Sequence, residues 1–202
     1  MNKNKMIGIV DGDVILYRSC HKAIKDNLDV KITFDKLYQE IKDETGCDEF
    51  SLHISVNGYE ADDTASVEAT KYLKNGQLYM LITIDKDWQI IGGLFYNMIH
   101  KTVKAISKFD SCEFLNTQLL TGDTVDNIPG LKGVGIVKAT KLLKGKTLVK
   151  QFESVIRMYK QHHPEDYLDR LDVMGKMLFL VKDYKDNKDW NIDYWKGFIA
   201  NV

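Results

Sequence analysis

Met6 to Val10 is a short apolar run that ends at Asp11-Gly12, and from Val14 to about Asn27 apolar positions recur at near-helical spacing, so a strand, a turn and a helix are predicted. Thr33 to Glu44 repeats the helical spacing with Thr33 as the predicted N-cap and Gly46 as the stop, and Phe50 to Ser55 alternates as a strand. A helix over Ala61 to Leu73 follows, closing before Asn75-Gly76. Leu78 to Ile84 then reads as a buried strand whose end delivers Asp85-Lys86-Asp87-Trp88. Strands alternating with helices predict an α/β fold, a mostly parallel central sheet flanked by helices, with ligands at the carboxyl ends of the strands. Further on, helices are predicted from about Ser111 to Gly122, from about Ile136, over Leu148 to His162 and over Tyr167 to Val181. The division expected is an α/β core over residues 1–110 and a helical lobe over residues 111–202, with Trp190, Tyr194, Trp195 and Phe198 anchoring the C-terminus.

Composition narrows the class. A chain of 202 residues with 44% hydrophobic content can bury a sizeable core. No segment approaches the ~18 to 20 uninterrupted apolar residues of a membrane span, and Met1-Asn2-Lys3-Asn4-Lys5 runs straight into a strand, so a cytoplasmic protein is expected. Cys20, Cys47 and Cys112 lack Cys-x-x-Cys spacing and the five histidines form no zinc pattern, which points to reduced structural thiols. The net charge of -1 conceals segregation: Asn127 to Phe152 holds no acidic residue but contains Lys132, Lys138, Lys141, Lys144, Lys146 and Lys150. A chain with cations in one part and carboxylates in another can hold a polyanion and act on it.

The carboxylates cluster where strands end or helices begin: Asp11 and Asp13, Glu60-Ala61-Asp62-Asp63, Asp85-Lys86-Asp87, and Asp123 with Asp126. Glu60 and Asp63, three apart at a helix start, share a face, while Asp62 points about a third of a turn away. Singly, such acids need only complement a helix dipole, worth about 0.3 to 1 kcal/mol each. The repetition points instead to a metal site. Hydrolysis of a phosphodiester requires charge neutralisation, an activated water and a stabilised leaving oxygen, and two divalent ions can supply all three. Hard cations such as Mg²⁺ take oxygen ligands and keep several waters, so some acids would act through water. No His, Ser or Cys nucleophile is required. Without metal such a cluster is repulsive and weakens the fold.

The other informative block runs from Gly122-Asp123-Thr124-Val125-Asp126-Asn127-Ile128-Pro129-Gly130 through Leu131-Lys132-Gly133-Val134-Gly135 to Thr140. Gly130, Gly133 and Gly135 are expected to open a turn whose bare amides approach a phosphate, with a helix from Ile136 pointing its positive end there and Lys138 and Lys141 adding charge. Alone, this glycine pattern equally fits a plain helix start, and the lysines a solvated face.

Together these residues resemble the structure-specific 5′-nucleases, the family of phage flap endonucleases and the 5′-nuclease domain of DNA polymerase I, over nearly the whole chain. Asp11-Gly12 with Arg18 is similar to the family's first motif, Gly58 to Asp63 to its second and Thr83-Ile84-Asp85-Lys86-Asp87 to its third. Gly122 to Thr140 resembles its Gly-Asp-x-x-Asp-Asn-Ile-x-Gly block and the helix-three-turn-helix behind it. The resemblance implies a PIN-like core and a 5′-3′ exonuclease or flap endonuclease cutting DNA near junctions of duplex and single strand. It implies two Mg²⁺ or Mn²⁺ ions held directly or through water by Asp11, Glu60, Asp62, Asp63, Asp85, Asp87, Asp123 and Asp126, with Arg18 facing the phosphate that is cut. It further implies that Lys132, Gly133, Val134, Gly135, Lys138, Thr140 and Lys141 grip duplex backbone beside a K⁺ on the turn carbonyls. Contacts of that kind are sequence-independent and salt-sensitive. A monomer acting in replication or primer removal, in a phage or its host's cytoplasm, on a 5′ flap, nicked or 5′-ended duplex and on an RNA/DNA hybrid, completes what the resemblance implies.

The chain departs from the family between Ser55 and Val56. The family carries there another acidic ligand, a basic helical arch and another strand, whereas here Ser55 is followed directly by Val56-Asn57-Gly58. The two residues read as the tails of two strands spliced together, so a left-out arch is expected rather than a reduced variant. Asp13 stands where the family has a small polar residue and would cap a helix. Two other readings fit parts of the chain. A phosphatase of the haloacid dehalogenase type would use Asp11 as a covalent nucleophile but leaves Glu60 to Asp63 and the basic turn unexplained. A non-catalytic, structure-specific DNA-binding protein would follow if loss of the arch disabled the site.

Overall fold

The computed structural model describes residues 5–56, 58–183 and 190–202. The chain start and Asn57 of the Val56-Asn57-Gly58 junction therefore lie outside the described residues. The chain forms two compact units, one from the described residues of Met1–Ile106 and Leu180–Asp186, the other from those of Ser107–Phe179 and Asn187–Val202.

In the first unit, β1 (Met6–Asp11), β2 (Glu49–His53), β3 (Leu78–Thr83), β4 (Gly93–Asn97) and β5 (Thr102–Ile106) form one sheet in the order β2-β1-β3-β4-β5. All neighbours are parallel except β4 and β5. Alternation along each strand sends side chains to opposite faces. Ile7, Ile9, Tyr79 and Leu81 pack on one face with Ala65, Ala69 and Tyr72 of α3 (Ala61–Asn75). Val10, Met80 and Ile82 pack on the other with Ile15 of α1 (Gly12–Asp26) and Ile41 of α2 (Val30–Thr45). Covering both faces explains why β1 and β3 read as continuous apolar runs.

Helix α2 begins earlier than predicted. Asp29 is its N-cap and accepts from Lys31 N at 2.7 Å and Ile32 N at 3.3 Å, while Thr33 lies inside the helix with its hydroxyl donating to Ser19 O at 3.0 Å. The β-branched Val30 and Ile32 mask this start in the sequence. The sequence does not predict strands β4, which opens on Gly92-Gly93, and β5, which is only five residues long. Between β2 and α3, Val56 N donates to Tyr59 O at 2.9 Å and Tyr59 N to Val56 O at 3.0 Å.

A polar knot fastens α3 to β2. Glu68 accepts from Ser51 Oγ at 2.7 Å and from the Tyr72 hydroxyl, and pairs with His53 Nε2 at 2.5 Å. Burial alone would raise its pKa, but the His53, Tyr72 and Ser51 hydrogen bonds outweigh it and hold Glu68 at about 2. A depressed carboxylate contributes stability above its unfolded pKa and loses it as pH falls toward the folded value. Wild type should therefore lose about 2 kcal/mol more than Glu68→Gln between pH 5 and pH 2.5 in urea titrations. Equal losses would show that the knot adds nothing.

In the second unit, α4 (Lys108–Thr121), α5 (Ile136–Leu143), α6 (Leu148–His162), α7 (Tyr167–Leu178) and α8 (Ile192–Ile199) surround a core that includes Leu115, Leu119, Phe152 and Val155. Helix α4 starts at a capping box of Ser107 and Asp110, one turn before the predicted Ser111. Helix α7 stops at Leu178 rather than Val181. Trp190 and Trp195 are buried with their rings tilted against each other at 5.2 Å between centroids, and Trp195 Nε1 donates to Asn116 Oδ1 at 3.1 Å, so the C-terminus is anchored by aromatics. Tyr194 and Phe198 stack at the edge of that cluster. No described helix is long and apolar enough to cross a membrane.

Candidate metal centre and phosphate-gripping turn

At the carboxyl end of β1, Asp11 is both the last strand residue and the N-cap of α1. Its Oδ1 accepts from Val14 N at 3.0 Å and its Oδ2 from Thr83 Oγ1 at 2.7 Å. Thr83 closes the neighbouring β3 and its hydroxyl also accepts from Asp85 N at 3.0 Å, so one buried threonine joins Asp11 to the Asp85 loop. Thr83 belongs to the third motif, where the sequence alone assigns it no task. Asp85 caps the short 3-10 helix Lys86–Ile90 by accepting from Asp87 N at 2.9 Å, and Lys86 Nζ lies 3.8 Å from Asp87 Oδ1.

Of the three acids expected at the start of α3, Asp62 lies one and two turns before Ala65 and Ala69 on the face that packs against the sheet, and its carboxyl feels the charge of Asp85. Burial first, then the charges of Asp63, Glu60 and Asp85, push its carboxyl up to about 7. Burial raises Asp11 as well, opposed by Thr83 and Val14 and assisted by Asp85 and Asp13. Asp63 Oδ1 instead accepts from Val181 N at 3.1 Å, tying a distant segment to α3. Asp13 is turned to Ser55, accepting from its N at 3.0 Å and its Oγ at 2.7 Å. Arg18 lies two turns along α1 from Asp11, about 10 Å by helical rise, with Nη1 donating to Met98 O at 3.5 Å.

Carboxylates that raise one another's pKa at a shared strand end are the mark of a site built for positive charge. The donors are oxygen throughout, which suits a hard divalent cation that keeps part of its water and does not suit zinc or copper. Asp11, Asp62 and Asp85 thus fit the metal that the sequence implied.

The second unit carries the other implied residues. Gly122-Asp123 (β6) pairs with Ile128-Pro129 (β7), and the buried Asp123 accepts from Val125 N at 2.8 Å and Gln118 Nε2 at 3.3 Å, while Asp126 is exposed. Lys132, Gly133, Gly135, Lys138, Thr140 and Lys141 are exposed around the turn into α5, and Lys138 Nζ reaches back to Gly133 O at 3.4 Å. No side chain caps α5 at Gly135, which leaves its first amides for an anion. Val134 departs from the exposed set: it is a core residue whose amide donates to Leu131 O at 2.9 Å. At Gly130 a Cβ would lie 2.1 Å from the Thr121 carbonyl carbon, so close packing requires glycine there.

No family model matches the chain. Curated relatives do: it is 31% identical to DNA polymerase I of Caldicellulosiruptor bescii over 82% of its own length and 20% of the relative's. It is 32% identical to a 5′-3′ exonuclease of Buchnera aphidicola over 63% and 45% of the two chains, and 29% identical to that of Aquifex aeolicus over 64% and 48%. The chain is a homologue of 5′-3′ exonucleases and of DNA polymerase I. It spans less than half the length of these relatives. The 5′-nuclease homologue also shares its fold with T5 5′-exonuclease, with a TM-score of 0.54 and 13% identity, and with the T5 D15 protein co-crystallised with metal ions, at 0.58 and 12%, each over 98% of the chain.

Proposed function

We propose that the chain is a divalent-metal-dependent 5′-nuclease that hydrolyses DNA phosphodiester bonds near junctions of duplex and single strand. The observation that carries this is the joining of Asp11 and Asp85 by Thr83 at the ends of β1 and β3, with Asp62 of α3 close enough to feel the Asp85 charge and with the Asp11 and Asp62 carboxyls raised. Two Mg²⁺ or Mn²⁺ ions would supply charge neutralisation, an activated water and leaving-group stabilisation. Thr83 fixes the Asp11 carboxylate and the Asp85 backbone, so these ligands need no rearrangement. Asp62 would be among the residues that hold the cation, and metal binding at a carboxyl raised in this way would favour its ionised form. Glu60, Asp63 and Asp87 would hold metal-bound waters, and Asp123 with Asp126 are proposed as further ligands from the second unit's own acidic turn.

The α5 turn would grip duplex phosphates through Lys132, Lys138, Lys141 and the open α5 amides, with a K⁺ on its carbonyls, independently of sequence. Arg18 would meet the phosphate being cut. The substrates proposed are 5′-flapped, nicked or 5′-ended DNA, with RNA/DNA hybrid as a further one, and the site of action is cytoplasmic. Both Asp11 oxygens are engaged by hydrogen bonds, which weighs against a covalent phosphatase. An end-labelled panel of flap, nicked, blunt and hybrid duplexes in Mg²⁺ tests the proposal. Release of short products from the flapped duplex, faster than from the blunt one and suppressed by chelator, is expected; no release from any substrate would overturn it.

A further inference from the structure

Between α1 and α2 of the first unit lies an open cleft of about 310 Å³, the size of a small-ligand site. Its floor is small and polar. Ser19 and Thr33 are buried where the helices cross, joined by the Thr33 hydroxyl to Ser19 carbonyl bond of 3.0 Å. The small side chains let the helices approach and leave the larger ones at the rim. On the α1 rim, Tyr17 and His21 stack one turn apart with ring centroids 6.5 Å apart and planes 27° apart. Tyr17 is 72% exposed, unusual for a tyrosine whose ring could be sheltered. Arg18 and Lys22 lie beside that pair, and Lys36 faces them from α2, against a single carboxylate, Glu40.

An exposed aromatic pair flanked by three cations is the combination that binds single-stranded nucleic acid: bases stack on the rings while the cations follow the phosphates. We infer that this cleft holds the single strand of the substrate, with a base on Tyr17 and phosphates between Lys22 and Lys36. Charge complementarity selects the occupant: Arg18, Lys22 and Lys36 outnumber Glu40 on the lining, and although Glu44 offsets part of the Arg18 charge, an anionic partner is favoured. The cleft shares α1 with Asp11, so a strand lying in it runs along the helix whose first residue follows a proposed metal ligand. The inference rests on the nuclease reading but is tested apart from it.

The test is fluorescence anisotropy with a labelled oligothymidylate and with a blunt duplex of equal length, both in chelator so that nothing is cut. Tyr17→Ala should lower the ratio of single-strand to duplex affinity about tenfold, and Tyr17→Phe should restore it. Lys22→Ala combined with Lys36→Ala should reduce the slope of log affinity against log salt for the single strand by about 1.4. A wild-type ratio in Tyr17→Ala together with an unchanged salt slope in the lysine variant would overturn the inference, whether or not the protein cuts DNA in Mg²⁺. A misfolded variant would lose both affinities together, and Tyr17→Phe, which keeps the ring, separates that case from loss of stacking.

Discussion

Gly122→Ala should cost about 3 to 5 kcal/mol of stability. Gly122 ends α4 with φ 66° and ψ -167°, a backbone region essentially confined to glycine. An added Cβ would also lie 2.2 Å from Ile128 O and 2.4 Å from Gly130 N. Those are backbone atoms of the facing strand, so no side chain can swing away to make room. Strain and overlap each contribute about 1 to 3 kcal/mol, and relief requires the β6–β7 pair to open. Opening it releases Asp123, whose register opposite Ile128 fixes the carboxylate. Urea unfolding is the direct check; a loss below about 1 kcal/mol would mean that the pair is far softer than its packing implies.

Asp62→Asn should act in opposite directions on stability and on activity. The Asp62 carboxyl is half-buried and lifted from 3.8 to about 7, so ionising it opposes folding in the absence of metal. That shift corresponds to roughly 4 kcal/mol, and partial access to solvent reduces the expected gain on substitution to about 2 kcal/mol. For a carboxyl raised in the folded state, the native protein binds the extra proton, so stability declines as pH rises from 3.8 to about 7. The variant's advantage should therefore be absent below about pH 4 and complete above about pH 7. Adding Mg²⁺ should stabilise wild type more than the variant, and cleavage by the variant should fall about a hundredfold. Parallel melts in chelator and in Mg²⁺ across that pH range read both effects. A variant less stable than wild type in chelator at pH 8 would show that the acids do not strain the fold.

Much of the first unit was legible because its strands are buried on both faces. Runs such as Leu78 to Thr83 cannot be mistaken for solvated segments, and the acids that follow them land at the strand ends. What the sequence concealed depends on direction rather than position. Spacing placed Glu60 and Asp63 on one helix face, yet the face that turns inward is set by how Ala65 and Ala69 pack on the sheet, and that brings Asp62 toward Asp85. Thr83 was silent because a threonine at a strand end is equally at home without a task. In the Gly-rich block the exposed and buried positions alternate too finely for periodicity to separate them, so Val134 was grouped with the residues that face outward. The helix start at Asp29 was hidden by β-branched neighbours that suit strands better than helices. Strand β5, partly alternating, needed the β4 edge beside it before its pattern meant anything.

The central claim is that carboxylates at the ends of β1 and β3 hold the metal that hydrolyses DNA. Cleavage of an end-labelled 5′-flap duplex by wild type and by Asp85→Asn, each in Mg²⁺ and in chelator, tests it most directly. The account predicts cutting near the junction by wild type in Mg²⁺ alone and a rate about a thousandfold lower in the variant, with flap binding retained. Cutting that persists in chelator, or an Asp85→Asn rate equal to wild type, would contradict it.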